Sequence, residues 1–301
     1  MFNLDDMALK VDELNVEKTQ FLIEDFLVKE AITMIYGAAS QGKTWFMYAL
    51  SRFLAECNDI QKIYYIDMDN GKRQLKDRGV DKNLLVYEKV KYINKGSLKI
   101  SINDLLISLV KSAYGDNYKD VVFVFDSTRD FVDVRNDKAA RAFMEQMKAI
   151  REAGATILLI HHASKSGRVI EGSAEFVRSA DNVYELKQKK AINGQILYSL
   201  KVENDRDPIK DKQFNVYLDT FKLKEGENDF ANLTQEQEEF VKNVLTHISL
   251  EPLNQSAIFK QIGKKRDDKT ARKMLDMFVG RFWKFKIDGK AKIYYPIGAD
   301  K

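Results

Sequence analysis

Four runs of apolar, β-favouring residues alternate with helical patterns across the first two thirds of this chain, and that alternation leaves few folds open. The runs are AITMIYG (31–37), KIYYIDMD (62–69), DVVFVFDS (120–127) and ATILLIHH (155–162). Each is continuously apolar until it ends in a small or polar residue. A strand with one face in water alternates apolar and polar residues; a strand covered on both faces does not need to. Between the runs lie KTWFMYALSRFLAEC, SINDLLISLVKSAYG and DKAARAFMEQMKAIREAG, which repeat apolar residues at helical spacing. Strand, helix and strand in succession imply right-handed crossovers and an open α/β sheet, mostly parallel and flanked by helices.

After His162 the helical patterns thin out. NVYELKQK, GQILYSLKVEN and QFNVYLDTFKL read as antiparallel strands added to one edge of the sheet. The division that follows is an arm at 1–20 without a motif, an α/β domain at 21–223, a polar linker at 224–232 (KEGENDFAN) and a second unit at 233–301. In the second unit LTQEQEEFVKNVLTHI opens with Thr234 and Gln237 in capping-box positions. NQSAIFKQIG and DDKTARKMLDMFVG follow as two further helices, and FWKFKIDGKAKIYYP folds back on itself at Asp288-Gly289. Three helices and then a β-hairpin is the order of a winged helix.

The first apolar run feeds directly into Gly37-Ala38-Ala39-Ser40-Gln41-Gly42-Lys43-Thr44, and Trp45 continues into the first helix. This is G-x-x-x-x-G-K-[ST] in the strand-to-helix setting that its mechanism requires. Backbone N–H groups of such a loop wrap phosphate at a helix N-terminus, Lys43 would reach the β- and γ-phosphates, and Thr44 would hold Mg²⁺. ATP and Mg²⁺ are therefore the expected ligands. Asp126, after five apolar residues, is the carboxylate expected to complete the Mg²⁺ site. Hydrolysis also needs a group to orient water. Period-two alternation places Asp67 and Asp69 on one face at the end of the second run, and either is a candidate. His161 and His162 end the fourth run, where a side chain faces the ligand crevice of an open α/β sheet. Two adjacent histidines without cysteine or carboxylate at ligand spacing make a poor zinc site.

Charge points to a partner. The net charge is +4, yet 259–292 alone holds 12 Lys/Arg against 4 Asp/Glu. Lys264, Lys265 and Arg266 precede the third helix of the second unit, Lys269, Arg272 and Lys273 lie on it, and Lys290 is at the hairpin with Lys284, Lys286 and Lys292. A basic module on a nearly neutral body suggests an anionic partner, nucleic acid first. No apolar run reaches membrane-spanning length. The single Cys57 and the absence of a secretion signal in MFNLDDMALK make a cytoplasmic location the expectation.

Together FLIEDFLVKEAITMIYGAASQGKTWF, YYIDMDN, VVFVFDS, ILLIHHASKSG, EGSAEFVRSADNVYEL and KVENDRDP resemble RecA-like ATPases, and among them the RepA-type hexameric replicative helicases with their plasmid and phage relatives. The resemblance covers about 21–223, in the family's order. It implies a RecA-like ATPase working as a ring, a homo-oligomer and most simply a hexamer, that moves along single-stranded DNA. It places Asp69 where the family usually has a water-orienting glutamate, one methylene longer. It gives His162 the task of linking γ-phosphate to the nucleic-acid loops, and makes 128–138 and 163–175 those loops, with Lys165 and Arg168 as cations of the second. It makes Arg206 a finger donated to the neighbouring subunit, with Asn204 where relatives often carry a lysine. The alternative of another class is a non-motor ATP switch, such as a replication initiator, helicase loader or regulator, that binds duplex DNA through its winged helix. A P-loop enzyme acting on a small molecule is a third reading, and it leaves the basic module unexplained.

Overall fold

The computed structural model describes residues 19–164, 169–192, 194–226, 233–289 and 291–297. The proposed arm up to residue 18, Lys165, Arg168, residues 227–232 of the proposed linker and Lys290 lie outside the described residues. The chain divides into two compact units after Gly226.

The first unit begins with a small antiparallel pair, β1 (Phe21–Ile23) and β2 (Leu27–Val28). Then come β3 (Ile32–Gly37), α1 (Lys43–Glu56), β4 (Lys62–Asp67), α2 (Lys72–Asp77), α3 (Val80–Asn83), β5 (Val90–Asn94), α4 (Ile102–Lys111) and β6 (Val121–Asp126). A single 3-10 turn, Thr128–Asp130, leads to α5 (Asp137–Glu152), β7 (Thr156–His162), α6 (Glu175–Ser179), β8 (Asn182–Ile192), β9 (Gln195–Asp205), β10 (Lys212–Tyr217) and β11 (Leu223–Glu225). Nine strands form one sheet in the order β11-β10-β9-β8-β3-β7-β6-β4-β5. The six from β8 to β5 are parallel, and β9, β10 and β11 extend it antiparallel.

The continuous apolar runs have the cause expected of them. In β3, Ile35 faces the core shared with α1, while Ile32, Met34 and Tyr36 face the core shared with α4, α5 and α6. In β6, Val122 and Val124 take the first side and Phe123 and Phe125 the second. Helix α5 forms because Asn136 caps it, its side chain accepting from Ala139 N at 3.1 Å, and because Ala140, Phe143, Met144, Met147 and Ile150 recur on one buried face. Burying each of the four larger side chains contributes about 1.5–3 kcal/mol.

Two details differ from the sequence reading. Strand β8 is not antiparallel to the body of the sheet but is its last parallel strand, paired with β3 from Thr33↔Asn182 to Tyr36↔Glu185. The crossover that reverses the chain is α6, only five residues long. QFNVYLDTFKL is not one strand: β10 ends at Tyr217, and a turn with Phe221 at φ 56° precedes β11, which begins at Leu223.

The second unit contains α7 (Gln235–Ile248), β12 (Leu253–Asn254), α8 (Gln255–Gln261), α9 (Lys269–Met277), β13 (Trp283–Asp288) and β14 (Ala291–Pro296). The capping box is present: Gln237 N donates to Thr234 Oγ1 at 3.2 Å, and Thr234 N donates to Gln237 Oε1 at 3.0 Å. The three helices enclose a core that includes Phe240, Val244, Phe259, Leu275 and Trp283. Trp283 Nε1 donates to Leu275 O at 3.0 Å, which satisfies the indole inside that core. The hairpin pairs Trp283 with Pro296 through Asp288 with Ala291, and β12 adds a third strand against β14. No helix among the described residues is long and apolar enough to cross a membrane.

Candidate phosphate site at the strand ends

Parallel strands bring their C-terminal ends to one edge of the sheet, and four of them converge here. Gly37 ends β3, His162 ends β7, Asp126 ends β6 and Asp67 ends β4. Gly37 is level with His162 and Asp67 with Asp126.

The loop from Gly37 to Thr44 is built for close approach. Ser40 has φ 62° and Gly42 φ 74°, so the chain folds back before α1 begins at Lys43. A side chain at Gly42 would strike Tyr198 Oη at 2.2 Å, and one at Gly37 would strike Leu186 O at 2.6 Å. The hairpin of β8 and β9 braces this loop. Tyr198 Oη donates to Gly42 O at 3.1 Å, and Gln188 N donates to Gln41 Oε1 at 2.9 Å. Ala39 and Ser40 remain exposed at the tip, Ala38 is half-buried, and Trp45 packs edge-on against Phe221 behind the loop. Lys43 is buried and its Nζ donates to the carbonyls of Gly37 and Ala38, at 2.9 Å each. Burial lowers its pKa to about 8; Asp126 acts in the opposite direction, and the charge of Arg129 adds to the lowering. An ammonium turned onto loop carbonyls can exchange those partners for phosphate oxygens without moving the backbone.

Asp126 is buried. Burial raises its carboxyl to about pKa 7, Asp67 pushes the same way, and hydrogen bonds from Tyr65 and Thr44 hold it back. The Tyr65 hydroxyl is 2.9 Å from Asp126 Oδ2. A threonine hydroxyl and a carboxylate in contact at a helix N-terminus are a fitting pair for Mg²⁺, which takes one or two protein oxygens and completes its octahedron with water and phosphate. Among the described residues no cluster of three His, Cys, Asp or Glu side chains suits a metal held by protein alone.

The two acids of β4 part company. Asp67 accepts from Asp69 N, Asn70 N and Asn70 Nδ2, each at 2.9 Å, and from the Tyr92 hydroxyl at 2.5 Å. Its oxygens are committed to the turn that leaves the strand, so it is unsuited to polarise water. Asp69 is exposed beyond it, its carboxylate accepts no hydrogen bond among the described residues, and it lies near enough to raise the Asp126 pKa. The two histidines differ as well. His161 is buried, with Nδ1 at 2.5 Å from Thr128 Oγ1 and Nε2 at 2.8 Å from Glu171 O. A carbonyl only accepts, so Nε2 carries the proton and Nδ1 accepts from the threonine. Burial keeps this ring neutral. His162 is half-buried and its pKa falls to about 4, through burial first and then the charges of Lys43 and Arg129. It too is neutral at pH 7, and it stands beside the lysine.

Arg206 is remote. Register pairs Asp205 with Asn182 and Asn182 with Thr33, so Arg206 sits at the start of β3, about 13 Å of strand away from Gly37. There its Nη2 donates to Arg178 O at 2.6 Å and its Nη1 lies 3.6 Å from Asp181 Oδ1. A cavity of about 680 Å³ opens beside it, lined by Lys29, Arg151, Asp181 and Asp207 among others. Arg151 already bridges both oxygens of Asp181 at 2.8 Å. In the second unit Lys264, Lys265, Arg266, Lys269, Arg272 and Lys273 are all exposed.

Sequence reasoning did not single out Tyr65, Tyr92, Tyr198, Gln188 or Arg129, since they come from separate segments and no motif position calls for them. A scan against protein-family models and a search of curated proteins return no match for this chain.

Proposed function

We propose that this chain is a RecA-like ATPase that acts as a nucleic-acid motor, a ring-forming replicative DNA helicase of the phage and plasmid type. The observation that carries the reading is the buried Lys43 turned onto the carbonyls of its own loop, at a sheet edge where the buried Asp126 ends β6. Backbone N–H groups of the loop would bind the β-phosphate, and Lys43 would swing from Gly37 O and Ala38 O to the β- and γ-oxygens. Thr44 and Asp126 would hold Mg²⁺, which supplies charge neutralisation on the phosphates. Asp69, whose exposed carboxylate accepts no hydrogen bond among the described residues, would orient the attacking water. His162, neutral and beside Lys43, would meet the γ-phosphate as a hydrogen-bond donor.

An open, mostly parallel sheet with antiparallel strands on one edge supports the RecA-like assignment. Arg206 lies too far from its own loop to act there, which favours a finger offered to a neighbour in a ring. Three helices and a hairpin support reading the second unit as a winged helix, with the cations around α9 positioned on DNA phosphates. The test is ATP hydrolysis with and without single-stranded DNA, run beside a native mass and strand displacement on a forked duplex. Stimulated, Mg²⁺-dependent hydrolysis by a multimer that displaces a strand is expected. Hydrolysis without displacement would replace the motor with a switch, and no hydrolysis at all would overturn both.

A further inference from the structure

Arg129 is an exposed cation on the 3-10 turn after β6, and that turn is fixed on every side. Asp130 N donates to Ser127 O at 2.9 Å and Phe131 N to Thr128 O at 3.0 Å. Ser127 Oγ donates to Asp130 Oδ2 at 2.8 Å, Thr128 is tied to His161, and Phe131 packs edge-on against Phe125 at 5.1 Å. The backbone of residue 129 is thereby anchored to the end of β7, the strand between the phosphate-loop strand and the Asp126 strand. The side chain is exposed and makes no hydrogen bond or ion pair among the described residues. The acid next to it in sequence, Asp130, is occupied by Ser127. Its charge reaches Lys43 and His162. An exposed guanidinium with no ion pair is open to an anion, and its planar fork suits phosphate oxygens.

The position along the phosphate chain follows from topology. On the reading of this loop as an ATP site, the loop and the start of α1 would hold the β-phosphate, and the terminal phosphate would lie towards the ends of β6 and β7, where Asp126, His162 and the Arg129 turn are. Resting on the reading of this loop as an ATP site, we propose that Arg129 binds the γ-phosphate of nucleotide held in its own subunit and so makes the site prefer a nucleoside triphosphate to a diphosphate. This role is separate from the neighbour's Arg206 and from the nucleic-acid contact that the sequence resemblance implies for the 128–138 loop.

The experiment is calorimetric titration of the full chain with Mg-ADP and with a non-hydrolysable Mg-ATP analogue, for wild type, Arg129→Ala and Arg129→Lys. A charge-assisted hydrogen bond lost from the γ-phosphate weakens analogue binding by about 10- to 100-fold, while ADP affinity stays within about twofold. Arg129→Lys should recover part of the difference. Unaltered discrimination in Arg129→Ala, or equal loss for both nucleotides, overturns the proposal and leaves the ATP site standing. Loss of single-stranded DNA binding with nucleotide discrimination intact likewise overturns it, in favour of a nucleic-acid contact. Wild-type protein that binds neither nucleotide removes the site and the proposal together. Unfolding curves of the three proteins should coincide, because the side chain is exposed.

Discussion

Asp126→Asn should stabilise the nucleotide-free protein, although it removes the acid assigned to Mg²⁺. The folded carboxyl titrates near pH 7, against an ordinary value of 3.8, with burial as the main cause. Below pH 3.8 the folded and unfolded states both hold the proton and the group favours neither. As pH rises from there the unfolded chain ionises first, so stability falls, and the loss is complete above about pH 7. At about 1.36 kcal/mol per pH unit, the full loss has an upper bound of about 4 kcal/mol. Asparagine has nearly the same shape and no charge to bury. It can accept from Tyr65 and donate to Thr44, so neither partner of Asp126 is orphaned. For a unit of this size each kcal/mol moves the midpoint by about 2–4 °C, so the variant should unfold higher at pH 8 by at most about 8–16 °C. The gain should shrink steadily as pH falls towards 5. Scanning calorimetry of the full chain without nucleotide or Mg²⁺, from pH 5 to pH 8.5, is the assay. With Mg-ATP the order should reverse, since only the wild type offers the metal a carboxylate. An offset that does not vary with pH, or a lower midpoint at pH 8, would refute the argument from burial.

Other outcomes can be measured on the same protein. Lys43→Ala should lower the rate of ATP hydrolysis by about 10²–10³ with an unaltered circular dichroism spectrum, because its charge acts on the phosphates; steady-state turnover checks this. Replacing the exposed Lys269, Arg272 and Lys273 by alanine should weaken duplex DNA binding and reduce the slope of log affinity against log salt by about 3, as expected for three lost phosphate contacts. Mixing Arg206→Ala with Lys43→Ala, each inactive alone, should restore some hydrolysis through interfaces that join an intact loop to an intact finger. With subunit exchange verified by native mass, no recovery at any ratio would count against a finger acting between subunits.

What was legible in the sequence follows from which groups make each part. The candidate phosphate loop spans eight consecutive residues, Gly37 to Thr44, so its pattern can be read in one stretch. β3, β6 and β7 were equally plain, because strands covered on both faces leave apolar runs. β5 was not read as a strand: it is at the sheet edge, and Lys91 within it is exposed between the buried Val90 and the half-buried Tyr92. The direction of β8 was misread because the five residues of α6 are too few for a helical period to show. The side-chain part of the site has a different origin. Tyr65, Tyr92, Arg129 and His161 come from β4, β5, the turn after β6 and β7, and only the parallel register makes neighbours of them.

The two acids of β4 show where a period-two argument stops holding. Alternation puts Asp67 and Asp69 on the same face for as long as the strand continues, but the strand ends at Asp67. Met68 N is still held by Asp126 O at 3.0 Å; beyond it the chain bends back and the Asp67 carboxylate caps the bend by accepting from two backbone N–H groups. A short acid placed two residues before a turn commonly makes this bond to its own backbone. DMDN therefore contains a turn-forming aspartate followed by one free to act, and the free one is the second. The buried acid also has a task at the site: by fixing the bend it sets where Asp69 leaves the sheet, and its charge helps hold Asp126 near pKa 7. Asp67→Asn should consequently alter hydrolysis by relaxing the bend and lowering the Asp126 pKa, whereas Asp69→Asn would remove the carboxylate proposed to orient water; steady-state ATP turnover of the two variants checks this.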